Sequence, residues 1–177
     1  MKQVELEDLV FIDEMGVLLG LMRTHARAMP GVRAYDFKPF YRGSKVSVIG
    51  AITVSKVLAV MTMDGSMDAA GFEVYVSKFL VPQLWPGAVV VMDNLPAHKV
   101  AAIAPLIEAV GAKVLYMSAY SPEFNPIEHW WSQLKAFLRQ FSPTTSQRVD
   151  TLIATALDLI DPNHLRNWFA HCCYCPL

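Results

Sequence analysis

The chain has 177 residues, of which 54% are hydrophobic and only 18% charged, with a mean hydropathy of +0.32. That is one domain's worth of sequence with too much apolar surface for a disordered chain. Its longest apolar run, Met15 to Met22, is eight residues, far short of the roughly 18 that a membrane helix needs. Residues 1–5 carry no apolar signal core, so an intracellular, cytoplasmic protein is expected. Fifteen basic and 16 acidic residues leave a net charge of −1, which by itself points to no polyanionic partner.

Taken in chain order, Leu9-Val10-Phe11-Ile12 is a short β-type run ending at Asp13. Residues 23–45 hold Arg23, Arg27, Arg33, Lys38, Arg42 and Lys45 against a single acid, Asp36. This window is therefore +5 and the remainder of the chain −6. Pro30-Gly31 and Arg42-Gly43-Ser44 within it are turn signals. Residues 46–53 and 57–63 are β-branched runs separated by Ser55-Lys56 and predict antiparallel strands. Residues 68–80 predict a helix with Phe72, Tyr75, Val76 and Phe79 on its buried face.

Pro86-Gly87 opens Ala88-Val89-Val90-Val91-Met92, the continuous apolar run of a strand buried on both faces, which ends at Asp93. Residues 96–110 predict a second helix, with Val100, Ile103, Ile107 and Val110 inward and Gly111 as its stop. Residues 113–117 predict a strand. Asn125-Pro126 opens a third helix with Ile127, Trp130, Leu134, Phe137 and Phe141 as the buried stripe. Residues 146–160 predict a fourth, closed by Asp161-Pro162. Hairpin strands followed by alternating strands and helices describe an α/β fold, a mixed sheet with helices on its faces.

Two apolar strands thus end in aspartates, Asp13 and Asp93, and ligands gather beyond the carboxyl ends of parallel strands. Aspartate is also common wherever a strand enters a turn. Glu128 is a third candidate, although Asn125-Pro126-Ile127-Glu128 also has the pattern of a capping box, in which Glu128 bonds back to the helix start. Ser132, Lys135 and Arg139 lie within about 40° of Glu128 on the helix, where they either line an anion-binding groove or form a solvated face.

The segment Tyr120-Ser121-Pro122-Glu123-Phe124-Asn125-Pro126-Ile127-Glu128-His129-Trp130-Trp131-Ser132-Gln133-Leu134-Lys135 resembles the signature of mariner-related transposases. There an S-P-x-x-N-P-I-E stretch carries the last acid of an Asp-Asp-Glu (DDE) triad. Asp93-Asn94-Leu95-Pro96-Ala97-His98-Lys99 resembles the D-N-x-x-x-H-K stretch around the second acid, and Phe11-Ile12-Asp13-Glu14 matches the first. Thirty-four residues separate Asp93 from Glu128, the interval typical of that superfamily. The resemblance runs from about Leu9 to Leu165 and is nearest to bacterial insertion-sequence transposases.

It implies a ribonuclease-H-like mixed five-stranded sheet flanked by helices, with residues 1–177 as the DDE catalytic domain. It also implies a DNA endonuclease and strand-transferase that uses two Mg²⁺ or Mn²⁺ ions. Asp13 would bridge both ions, with Asp93 and Glu128 completing one site each. The chemistry suits the residues: three crowded carboxylates repel, and hard cations that prefer oxygen ligands relieve the conflict. Transposon ends and target DNA are the implied partners, with a homodimer at synapsis and a location on the bacterial nucleoid. Relatives carry helix-turn-helix modules before the catalytic domain. The residues before Asp13 leave no room for them, so the resemblance implies either a separately encoded N-terminal DNA-binding part or a decayed fragment.

Arg23, Arg27, Arg33, Lys38, Arg42, Lys45, His98, Lys99, Lys135 and Arg139 are the candidate DNA contacts. His98 reads more readily as a helix-surface histidine than as a phosphate or metal contact, and Glu14 should point to the strand face opposite Asp13. Trp130 belongs to the core stripe, while Trp131 is open to burial or to stacking on unpaired bases. Cys172, Cys173 and Cys175 have poor spacing for zinc. Two other functions compete: a non-catalytic remnant or regulatory subunit that binds DNA or a transposase protomer, and a metal phosphohydrolase for small phosphoesters.

Overall fold

The hairpin signals of the first third close into three antiparallel strands, β1 (Leu9–Leu18), β2 (Lys45–Ile52) and β3 (Val57–Asp64). This computed structural model describes residues 4–23, 25–37, 44–94, 101–118 and 121–175. Two further strands, β4 (Val89–Met92) and β5 (Lys113–Tyr116), run parallel to β1, and the sheet order is β3-β2-β1-β4-β5. The helices are α1 (Ala69–Tyr75), α2 (Ile103–Glu108), α3 (Ile127–Phe141), α4 (Ser146–Asp158) and α5 (Pro162–His171). No helix among the described residues is long and apolar enough to cross a membrane.

β1 is longer than its sequence suggests. The apolar run stops at Asp13, yet the strand continues to Leu18, because β2 pairs with it from Phe11↔Ile52 to Leu18↔Lys45. On its other side β4 pairs only with Leu9, Val10 and Phe11. Asp13 therefore lies within a strand, where the parallel pairing has just ended. A backbone ladder to one neighbour sustains the strand after its apolar pattern has failed.

The sheet divides the core by the parity of its strands. Phe11, Met15, Val17, Val46, Val48, Val89 and Val91 point toward α3, α4 and α5. Val10, Ile12, Ile49, Ala51, Val90 and Met92 point toward α1 and α2. Asp13 shares the parity of Phe11 and Met15, so it faces α3. Glu14 lies on the opposite face, as expected from the alternation, and is half-buried.

Most helices start and stop for local reasons, and several differ from expectation. Asp68 caps α1 by accepting from the Gly71 N–H at 2.8 Å, a contact worth about 1 kcal/mol. After Tyr75 the chain widens into a π-helical turn over Val76–Leu80. That turn rotates Phe79, expected in the core, to 41% exposure, where its ring stacks on Tyr75. α2 occupies the middle of the expected second helix. Gly111 ends that segment with φ +79° and donates to the Glu108 carbonyl, while residues 96–100 lie outside the described ones.

α3 buries Ile127, Trp130, Trp131, Leu134 and Leu138. Phe141, assigned to the stripe, is 47% exposed and packs on Phe137. α4 starts at the Thr145 cap, whose hydroxyl accepts from the Arg148 N–H. Asp161-Pro162, expected only to end the fourth helix, instead begins a fifth. Asp161 caps α5 by accepting from the Asn163 N–H, and Pro162 takes the first turn, where its missing donor costs nothing. α5 then places Leu165, Trp168 and Phe169 in the core, Phe169 meeting Phe11 edge-on at 5.4 Å.

Candidate active site

Three elements deliver the three acids to one corner of the sheet on its α3 side. Asp13 comes from the middle of β1 and is 9% exposed. Asp93 follows β4 by one residue. Phe11 and Val91 are register partners, and Asp13 and Asp93 each lie two residues further on, so the alternation turns both to the same face. Glu128 stands exposed in the first turn of α3.

The capping box expected for Glu128 does not form. The Asn125 N–H, which Glu128 would have to capture, already donates to the Pro122 carbonyl at 3.0 Å, through a short 3₁₀ turn at Pro122–Phe124. The helix instead starts at Pro126 without a side-chain cap, and the Glu128 N–H donates to the Asn125 carbonyl at 3.1 Å. Asn125 is buried, and its side-chain oxygen has no hydrogen-bond partner among the described residues. Glu128 is thereby left available to the site rather than to its own helix.

Asp13 shows the electrostatic result. Its carboxyl is pushed up from the ordinary 3.8 to about 7, first by burial and then by the negative charges of Glu128 and Asp93. Hydrogen bonds from the Glu14 backbone N–H and from the Trp131 indole oppose that rise. Trp131 Nε1 donates to Asp13 Oδ2 at 3.1 Å. Three mutually repelling oxygen donors suit a hard divalent cation, whose charge would offset both the burial and the repulsion. Among the described residues, no group of three His, Cys, Asp or Glu side chains lies close enough to hold a metal ion.

Trp131 is a contact that sequence reasoning left undecided. Trp130 and Trp131 are 2% and 1% exposed and stack on each other at 4.5 Å, so neither offers a face to unpaired bases. A pointer was present in the spacing: Trp131 is three residues after Glu128, on the same side of a helix.

The basic candidates divide. Arg23, Arg27 and Arg33 are exposed on the connection between β1 and β2, beside the equally exposed Met29, Val32, Tyr35 and Phe37. Pro30-Gly31 makes the expected turn there, with Gly31 at φ +82° and the Val32 N–H donating to the Met29 carbonyl. Lys45 is half-buried at the start of β2. Lys135 and Arg139 are half-buried on α3 rather than forming a fully solvated edge, and Arg139 Nε is enclosed. Lys38, Arg42, His98 and Lys99 lie outside the described residues.

A cleft of about 540 Å³ opens beside Glu128, lined also by Glu123, Phe124, His129, His171 and Cys173. The two imidazoles meet edge-on at 4.5 Å, and burial followed by His171 lowers the pKa of His129. Cys172 is buried, Cys173 exposed and Cys175 half-buried.

A sequence profile of the DDE superfamily endonucleases matches residues 8–153, a span that contains Asp13, Asp93 and Glu128. The chain belongs to the DDE superfamily endonucleases. This DDE domain superimposes on a pre-cleavage Mos1 transpososome with a TM-score of 0.80, at 18% identity over 93% of this chain and 52% of that one. It matches the Mos1 mariner paired-end complex with Mn at 0.74, with 19% identity over 94% and 52% of the two chains. The catalytic domain of Mos1 mariner transposase gives 0.67, at 16% identity over 93% and 76%. The DDE domain thus spans about half the length of the transposase chains in the first of these structures. No curated protein sequence matches it. The fold is the ribonuclease-H-like one of those domains.

Proposed function

We propose that this chain is the catalytic domain of a transposase that cuts DNA at transposon ends and joins it to a target. Asp13, Asp93 and Glu128 are its ligands for Mg²⁺ or Mn²⁺, two ions in all. The single observation that carries this reading is the state of Asp13, buried, crowded by two other acids and titrating near 7. A carboxylate in that position costs stability, and clusters of this kind mark functional sites. Bound there, divalent ions supply Lewis acidity and a counter-charge for the scissile phosphate.

The chain's own residues do the positioning. β1 holds Asp13 in a paired strand, β4 brings Asp93 to the same face, and α3 presents Glu128 without a competing cap. Arg23, Arg27 and Arg33 reach into solvent where phosphates can be tracked, with Lys38, Arg42, Lys45, His98, Lys99, Lys135 and Arg139 as further candidate contacts. The described arginines make the +5 segment a better DNA surface than the net charge suggests. A long polyanion fits this segment better than a small phosphoester does.

The solved neighbours are transposase assemblies named as paired-end and strand-transfer complexes, some with Mg or Mn. By that likeness the partner is transposon-end DNA, and the working form pairs two copies. We assign the chain to a bacterial insertion sequence, acting on nucleoid DNA.

A second reading, a remnant or regulatory subunit, is favoured by one observation: the described acids do not close to the distances of one ion's ligands. One experiment separates the two. Mg²⁺- or Mn²⁺-dependent cleavage of transposon-end DNA by the wild type, lost in Asp93→Asn, supports the catalytic domain. Equal activity in both, or none in either, removes it.

A further inference from the structure

We infer that Trp131 is a positioning residue: its indole N–H fixes the orientation of the Asp13 carboxylate and so sets the affinity of the site for its divalent ion. The inference rests on the reading of Asp13 as a metal ligand. The bond is 3.1 Å from Nε1 to Oδ2, and both residues are buried. An indole N–H only donates, so it holds a carboxylate oxygen in place without competing for the cation. Trp131 also sits three residues after Glu128, so one rigid helix brings both a carboxylate and a hydrogen-bond donor to Asp13.

The space for this contact is built into the sheet. Gly50 is the β2 partner of Asp13, and the two stacked indoles lie directly over it. A Cβ at Gly50 would stand 2.6 Å from Trp130 Cζ3 and 2.9 Å from Trp131 Cη2. Trp130 backs Trp131 with ring planes only 22° apart. Any side chain at residue 50 would lift the indoles from β2, and the N–H with them. Only the hydrogen bond requires the nitrogen.

The test uses the full chain with Trp131 replaced by its isostere benzothienylalanine, which keeps the ring shape and removes the N–H, and with Trp131→Phe in parallel. Mn²⁺ affinity is measured by calorimetry, together with the Mn²⁺ and Mg²⁺ concentrations that give half-maximal cleavage. The expected result is an affinity loss of about 10- to 100-fold. The isostere should stay folded with a cooperative melt, and cleavage should be largely restored at saturating ion. Wild-type Mn²⁺ affinity in the folded isostere overturns the inference. Asp93→Asn distinguishes the two levels. If the wild type binds no Mn²⁺, or Asp93→Asn binds it equally well, the proposed metal site fails and the inference fails with it. If Asp93→Asn loses binding and the isostere does not, only the role of Trp131 is refuted.

Discussion

Gly50 faces Asp13 across the β1–β2 ladder, and its missing side chain is what lets two tryptophans lie against the sheet beside a buried acid. The stacked indoles have no flexible end to swing away. Gly50→Ala is therefore expected to destabilise the chain by about 1–3 kcal/mol through overpacking. Urea unfolding measures this directly, and an unchanged midpoint would show that the indoles can shift at little cost.

Asp13 should make the metal-free protein less stable as pH rises. Its carboxyl titrates near 7 when folded against an ordinary 3.8, so between those values the folded chain holds a proton that the unfolded chain has released. The stabilising effect of acid is complete below about pH 4 and gone above about pH 7, at no more than about 1.4 kcal/mol per unit between them. Asp13→Asn removes the titration. Thermal melts in EDTA should show the variant more stable than wild type at pH 8 and equal to it near pH 4, with cleavage lost. Parallel curves for the two proteins would contradict the assignment.

Glu128 is expected to separate function from stability. Because its side chain does not cap α3, Glu128→Gln should leave unfolding free energy within about 0.5 kcal/mol of wild type. Cleavage and Mn²⁺ affinity should both fall to background. A clear loss of stability would mean that Glu128 is structural after all.

The start of α5 offers the opposite case. Asp161→Ala should cost about 1 kcal/mol by removing the cap, and Asp161→Asn much less, since asparagine caps nearly as well. Denaturant titration checks both, and Mn²⁺ affinity should stay at the wild-type value in each.

Replacing Arg23, Arg27 and Arg33 together by alanine should weaken DNA binding without touching the metal site. Each lost phosphate contact lowers the slope of log affinity against log salt by about 0.9. Fluorescence anisotropy across a salt series reads that slope. An unchanged value would remove the β1–β2 connection from the DNA surface.

Much of the molecule follows from the residue pattern alone. The two parallel strands, the hairpin strands and the four predicted helices are local consequences of apolar period and turn chemistry. The three acids stand out because Asp13 and Asp93 terminate apolar runs and Glu128 lies in a motif with Asn125-Pro126. Tertiary structure decided the rest. β2 carried β1 past Asp13, because strand length depends on a partner as well as on composition. The 3₁₀ turn before α3 took the Asn125 N–H and released Glu128 from its cap, a competition between donors that spacing does not reveal. The bond from Trp131 to Asp13 joins residues 118 positions apart. Only folding across Gly50 brings them together, and burial then turns an ordinary carboxyl into one that titrates near neutrality.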